Sequence, residues 1–261
     1  AGCEYAVMEV SSQGIKMHRT DGLYFNYAIF TNISPDHIGP GEHADFEEYL
    51  YYKTRLLNMC GIGLVNKDDK HAPQIIKAAN CELYTYSEES KEADFVASDI
   101  RYVSQPDFVG TEFHISGKYD MEVRLGIPGL FNVVNALAAV SVCSFLGLDQ
   151  ARISHALENI RVNGRMEIVY TSERCTVLVD YAHNAVSMES LLSTLRDYKP
   201  KRLVCVFGCG GNRSKDRRYS MGEIGGKLAD LSIITADNSR YEKVDDIIAD
   251  IRGSIEKTGG S

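Results

Sequence analysis

The chain has 261 residues, 44% of them hydrophobic and 25% charged, the balance of an ordinary soluble globular protein with room for two domains. A net charge of −8 and a pI near 5.4 argue against a nucleic-acid binder, and no apolar run approaches the ~20 residues that span a membrane. The seven cysteines are scattered with no Cys-x-x-Cys pair, which suits reduced thiols of the cytoplasm and not a disulfide framework or a zinc site.

Residues 5–10 (YAVMEV) read as the first strand. Glu9 is out of place in that apolar run, so it either faces water at the strand end or meets a partner. Ser11 and Ser12 follow, and capping of a helix or turn accounts for them. Residues 27–30 form the short apolar run of a buried parallel strand. They lead into Thr31-Asn32-Ile33-Ser34-Pro35-Asp36-His37. Asp36 and His37 therefore fall at a strand's carboxyl end, where open α/β sheets gather ligands. The next helix carries Phe46, Tyr49, Leu50, Leu56 and Leu57 at helical spacing. Lys53 falls on the same stripe. It either snorkels at the edge or is a buried amine of lowered pKa, open to modification or metal linkage.

Residues 62–66 and 81–86 read as further strands, and 98–127 as a β-rich stretch. Asp68 and Asp69 read as turn carboxylates facing water. A helix opens at Gly129, with Asn132 and Asn135 on one face near its positive end; capping by Asn132 is the simplest account. Asn163-Gly164-Arg165-Met166-Glu167 marks a boundary between domains 1–163 and 164–261. Arg165 there is a surface cation or a phosphate-binding fork. Strands at 176–180, 202–207 and 231–236 then alternate with helices near 186–197, 219–229 and 243–257. Their polar ends are Asp180-Tyr181-Ala182-His183-Asn184, the GCGGNR run at 208–213, and Asp237-Asn238-Ser239-Arg240. Three such ends on one sheet edge point to a ligand site. The expected fold class is α/β: a mostly parallel sheet flanked by helices with a small β segment, then a Rossmann-like α/β domain. GCGGNR fits neither G-x-G-x-x-G nor G-x-x-x-x-G-K-[ST], and the latter pattern occurs nowhere in the chain.

FTNISPDH followed by EEYLYYKTRLL resembles the central domain of the Mur ligases of peptidoglycan synthesis. G-x-F-N-x-x-N-A from residue 129, GRME from 164, DYAHN, GCGGNR and DNSR extend the resemblance over the whole chain. The last two narrow it to the ligases that add the third amino acid to UDP-N-acetylmuramoyl-L-Ala-D-Glu. The resemblance implies an ATP-dependent amide ligase acting through an acyl phosphate. It implies that Lys53 is carbamylated and holds Mg²⁺ with Glu9 and His37. Asn135, Arg165 and Asp180 would bind ATP, with His183 near its phosphates. Ser11 and Arg19 would touch the UDP-MurNAc-dipeptide. Arg213, Asp237, Asn238 and Arg240 would read meso-diaminopimelate. Met17, Ala185 and Ser239 depart from the family pattern, which often has Gln, Pro and Pro there.

The resemblance also implies that a phosphate-binding loop and a UDP-binding domain precede Glu9 in a longer polypeptide. A GKGHE stretch would follow Ser261. The chain alone is then expected not to turn over, because scattered side chains cannot replace a backbone phosphate cradle. A cytoplasmic monomer is expected, with no nucleic-acid partner and no membrane insertion. The rival readings are a lysine-adding ligase, a folylpolyglutamate synthetase, and a non-catalytic module of the same shape.

Overall fold

The computed structural model of the protein describes residues 2–35, 38–39 and 41–261. Asp36 and His37 lie outside the described residues. The chain divides into two compact units. The first runs to Arg101 and adds Glu112–Leu125 and Phe131–Asn159; the second comprises Tyr102–Thr111, Gly126–Leu130 and Ile160–Ser261.

The first half of the chain is organised by a six-stranded sheet in the order β1-β2-β3-β4-β5-β6. Its strands are β1 (Phe25–Phe30), β2 (Cys60–Asn66), β3 (Glu82–Ser87), β4 (Phe95–Gln105), β5 (Phe108–Gly117) and β6 (Met121–Leu125). The first four pair in parallel. Only Pro106 and Asp107 join β4 to β5, so that pair is a hairpin. The β2 strand is central to the parallel part, with Leu64 and Val65 fully buried. A Cβ on its Gly63 would lie 2.7 Å from the Leu83 side chain, so glycine is what lets β3 and the chain before β2 close on it.

Helices α1 (Ser12–Lys16), α2 (Phe46–Thr54), α3 (Ala72–Ala78), α4 (Leu130–Phe145) and α5 (Gln150–Glu158) accompany the sheet. The Asp45 carboxylate caps α2 by accepting from the Glu48 amide at 2.8 Å. Beyond Thr54 the helix tightens into a 3-10 turn, Arg55–Asn58, which seats Leu57 in the core. The expected stripe is real: Tyr49, Leu50 and Leu57 are buried with Phe46 and Leu56 packed beside them.

The strand expected at residues 5–10 does not form. The segment is irregular, and Tyr5, Val7 and Met8 are exposed. A strand exists only through a neighbour's ladder, and β1 is the edge of the sheet with no described strand beyond it. The capping role expected for Asn132 is also overturned. Leu130 already lies in α4, so Asn132 is inside the first turn.

In the second unit, β7 (Glu167–Thr171) and β8 (Thr176–Val179) form an antiparallel pair. The β9 (Val204–Phe207) and β10 (Leu231–Ile234) strands form a parallel one. The helices are α6 (Ala185–Asp197), α7 (Asp216–Leu228) and α8 (Val244–Lys257). A capping box starts α6: Asn184 accepts from the Ser187 amide at 2.9 Å while the Ser187 hydroxyl accepts from the Asn184 amide at 3.3 Å. Ile247, Ile251 and Ile255 place the apolar stripe of α8 against α7. The helices meet closely because α7 offers glycine there; a Cβ on Gly222 would lie 2.7 Å from the Ile251 carbonyl oxygen. The Tyr198 hydroxyl donates to the Gly110 carbonyl at 3.0 Å and accepts from the Gly129 amide at 3.2 Å. Those bonds draw two stretches of earlier sequence into this unit. No described helix is long and apolar enough to cross a membrane.

Candidate active site

In the first unit the polar residues gather at the carboxyl ends of β1, β2 and β3. Lys53, from α2, is half-buried. Its ammonium donates to the Asn32 carbonyl at 2.7 Å, just past the end of β1. The Tyr49 and Phe30 rings lie 5.4 and 5.7 Å away. Burial lowers its pKa from the ordinary 10.5, and the Asp69 carboxylate opposes that shift only in part. The sequence left open whether this lysine snorkels or is a depressed amine; its part-burial and the direction of its pKa shift favour the depressed amine.

Asp68 and Asp69 lie in the turn after β2, as expected, but their carboxylates are part-buried and bonded within the protein instead of facing water. One oxygen of Asp69 accepts from the Ile33 amide at 2.7 Å and the other from the His71 amide at 2.8 Å. Asp68 accepts from the Glu88 amide at 2.9 Å and from the Ser87 hydroxyl. Two consecutive carboxylates after β2 therefore tie the ends of β1 and β3 to it. The Glu88 and Ile33 amides that they hold are 20 and 36 residues away, distances local pattern cannot span.

Ser11 caps α1, its hydroxyl accepting from the Gly14 amide at 3.0 Å. Lys16 pairs with Glu48 at 2.9 Å, and the buried His43 ring bonds the Ser12 hydroxyl at 2.9 Å. Those contacts fasten the Ser11 turn to α2, the helix that carries Lys53. Arg19 is exposed, with a guanidinium nitrogen 3.7 Å from the Met17 sulfur. Glu9 is exposed on the irregular segment. Among the described residues no group of three His, Cys, Asp or Glu side chains converges to hold a metal. On α4, Asn135 is exposed and its amide donates to the Asn132 side chain at 3.4 Å.

In the second unit, the GCGGNR and DNSR loops follow the adjacent strands β9 and β10 and clasp each other through backbone. The Gly211 amide donates to the Asn238 carbonyl at 2.8 Å. A Cβ on Gly211 would lie 1.9 Å from the Ser239 carbonyl oxygen, and one on Gly208 would lie 2.4 Å from that of Thr235. The Asn212 side chain accepts from the Tyr241 amide at 3.1 Å, and its own amide donates to Glu242 at 2.5 Å. Asn212 and Arg240 both have left-handed backbones, with φ of 51° and 52°. Arg213, Asp237, Asn238 and Arg240 are left exposed around this clasp.

Asp180 anchors the start of the unit. Its two oxygens accept from the Met166 and Ala182 amides, each at 2.8 Å. It thus pins the GRME turn to the end of β8. The Arg165 guanidinium lies 4.8 Å from the Tyr181 ring centroid, and the His183 ring contacts the same tyrosine at 5.0 Å. Both are exposed. The Asp180–His183 turn and the clasp are brought into one unit, whereas Ser11, Arg19, Lys53 and Asn135 belong to the other.

Sequence reasoning overlooked Arg218 and Glu242. Arg218 is 1% exposed in α7 and pairs with Glu242 at 2.6 Å and Asp250 at 3.0 Å. The available signal was a cation on the same helix face as Met221, Gly222 and Gly225, the buried residues of α7.

A model of the Mur ligase middle domain matches residues 1–143, and a model of the Mur ligase glutamate ligase domain matches residues 164–259. The chain belongs to the Mur ligase family. A UDP-N-acetylmuramoyl-L-alanyl-D-glutamate–2,6-diaminopimelate ligase of Clostridium acetobutylicum is 39% identical over all of this chain and 53% of its own length. The same-named ligase of Clostridioides difficile is 38% identical over 98% of this chain and 53% of its own. The Mur ligase chain thus spans about half the length of the curated relatives it matches. A solved structure of a ligase of this name superposes with a TM-score of 0.72 at 30% identity, over 96% of this chain and 52% of that one. A folylpolyglutamate synthase of Mycobacterium tuberculosis, 19% identical with a TM-score of 0.62, shares the fold alone. The α/β class expected from the strand–helix alternation is the class of the Mur ligases.

Proposed function

We propose that this chain is the ATP-using centre and the diamino-acid-reading end of a ligase that joins meso-diaminopimelate to UDP-N-acetylmuramoyl-L-Ala-D-Glu. The observation that carries the reading is the clasp of GCGGNR on DNSR, which fixes the backbone beside Arg213 and Arg240 and leaves both side chains exposed. Two exposed, planar, five-donor forks suit a substrate with a carboxylate at each end.

The substrate's carboxylate attacks the γ-phosphate of ATP, releasing ADP and leaving an acyl phosphate. The amine of diaminopimelate then attacks the acyl carbon, phosphate leaves, and the amine loses a proton. Arg165 and His183 donate to phosphate oxygens. Asp180 is held by two backbone amides and keeps lone pairs on both oxygens for ribose hydroxyls. Asn135 faces the base. Ser11 and Arg19 hold the nucleotide-linked dipeptide. A bound Mg²⁺ would neutralise charge on the transferring phosphoryl group. Glu9 offers a hard oxygen ligand, and Lys53 fits the ion once carbamylated, which the pKa-lowering burial of its amine favours. His37 completes the proposed set.

Arg240→Ala tests the reading, made in the longest native polypeptide that contains this chain. Loss of a charge-assisted bidentate contact is expected to raise KM for meso-diaminopimelate about 10- to 100-fold. An unchanged KM overturns the assignment.

A further inference from the structure

We infer that Arg218 and Glu242 are positioning residues for the diamino-acid site, setting from beneath the clasp where Arg213 and Arg240 stand. The inference rests on the reading of those two arginines given above, and neither Arg218 nor Glu242 itself meets the substrate.

The chain of contacts is short. Arg218 is 1% exposed, so its guanidinium is committed to the protein. One nitrogen donates to Glu242 at 2.6 Å and another to Asp250 of α8 at 3.0 Å. The second oxygen of Glu242 accepts from the Asn212 amide at 2.5 Å. Asn212 immediately precedes Arg213, and its side chain in turn holds the Tyr241 amide, which immediately follows Arg240. One carboxylate therefore joins a buried cation to both substrate loops. The Arg218 bond and then the Asn212 amide hold Glu242 below the usual carboxylate range, so it is a full anion at neutral pH. Asp250 receives a second cation, Lys215, at 3.1 Å. Burial raises its pKa, but the Lys215 and Arg218 bonds outweigh that and hold it ionised too.

This arrangement does something that packing alone does not require. Asn212 and Arg240 are held in left-handed backbone conformations that non-glycine residues seldom adopt. A fixed acceptor for the Asn212 amide selects that conformation, and the fork geometry of Arg218 fixes the acceptor. Lysine at 218 would keep the charge and lose the fork.

The test uses three variants of the longest native polypeptide: Glu242→Gln, Arg218→Lys and Arg196→Lys. Arg196 is the control. It holds Asp230 through two 3.0 Å bonds in the same unit and touches neither loop. Glu242→Gln and Arg218→Lys are expected to raise KM for meso-diaminopimelate at least about tenfold. The KM for ATP and kcat at saturating diamino acid should stay within about twofold. Arg196→Lys is expected to lower Tm comparably and leave that KM unchanged. Equal KM values in all three variants at matched Tm would overturn the inference. If the wild type shows no saturable use of meso-diaminopimelate, the functional reading fails on its own. Amide exchange at Gly211 and Asn212 then decides: about tenfold faster exchange in Glu242→Gln but not in Arg196→Lys supports the positioning role, and equal exchange overturns it.

Discussion

Glu88 shows how a single side chain at the strand ends responds to pH. One of its oxygens is buried without a hydrogen-bond partner, and the residue follows β3 with its backbone amide bonded to the Asp68 carboxylate. Burial first, then the neighbouring Asp68 and Glu89 charges, push its pKa up to about 7 from 4.5. The folded pKa is raised, so ionisation penalises the fold. The penalty is absent below about pH 4.5, grows as pH rises, and is complete above about pH 7. Glu88→Gln should therefore stabilise the chain at pH 8 by about 1 kcal/mol, a figure reduced for solvent screening of a partly exposed group. The same variant should be neutral at pH 4. Urea midpoints at the two pH values check this, and an equal shift at both would remove the electrostatic account. Lys53 is governed by the same physics with opposite charge: burial disfavours its ammonium, which makes the neutral amine needed for carbamylation accessible nearer neutral pH.

At the scale of elements, the clasp between the loops after β9 and β10 depends on the absence of a side chain at one position. Gly211 has the Ser239 carbonyl oxygen 1.9 Å from where a Cβ would stand, a contact with backbone that no rotamer change relieves. Its neighbour Gly210 would place a Cβ 3.5 Å from the Asn238 oxygen, an ordinary contact. Gly211→Ala is thus expected to cost about 2 kcal/mol and Gly210→Ala under about 0.5 kcal/mol. Chemical denaturation of the two variants separates them, and equal losses would mean the loops can part without consequence. The same element pair shows why local sequence was informative here. Apolar runs gave β9 and β10, the strand–helix alternation gave α6 and α8, and two parallel neighbours must present their ends on one edge.

Over the whole molecule, legibility followed the range of the interaction. The place of Lys53 was readable because its charge falls among the bulky apolar residues Phe46, Tyr49 and Leu50. Arg218 carried the same kind of signal in α7, but Gly222 and Gly225 leave few bulky side chains to mark its buried face, and it was overlooked. The short helices α3 and α5 went unread, the first of them only seven residues long. Residues 5–10 were misread because alternation and apolarity report a preference for extended backbone and not the presence of a pairing neighbour. Asp68 and Asp69 were misread because their partners come from β1 and β3, far along the chain. The polar strand ends were predicted as three on one edge. Those after β9 and β10 are clasped, whereas Asp180 belongs to the β7–β8 pair and binds the GRME turn.

The central claim concerns which amine the second unit reads. The most direct measurement is ATP-dependent amide formation on UDP-N-acetylmuramoyl-L-Ala-D-Glu by the longest native polypeptide containing this chain, with kcat/KM compared for meso-diaminopimelate and L-lysine. The two acceptors differ by the distal carboxylate that Arg240 is proposed to pair with. A preference for meso-diaminopimelate of at least about 100-fold is predicted, since a site built to bond a charged group rejects the analogue lacking it. Equal use of the two amines, or a preference for lysine, would contradict it.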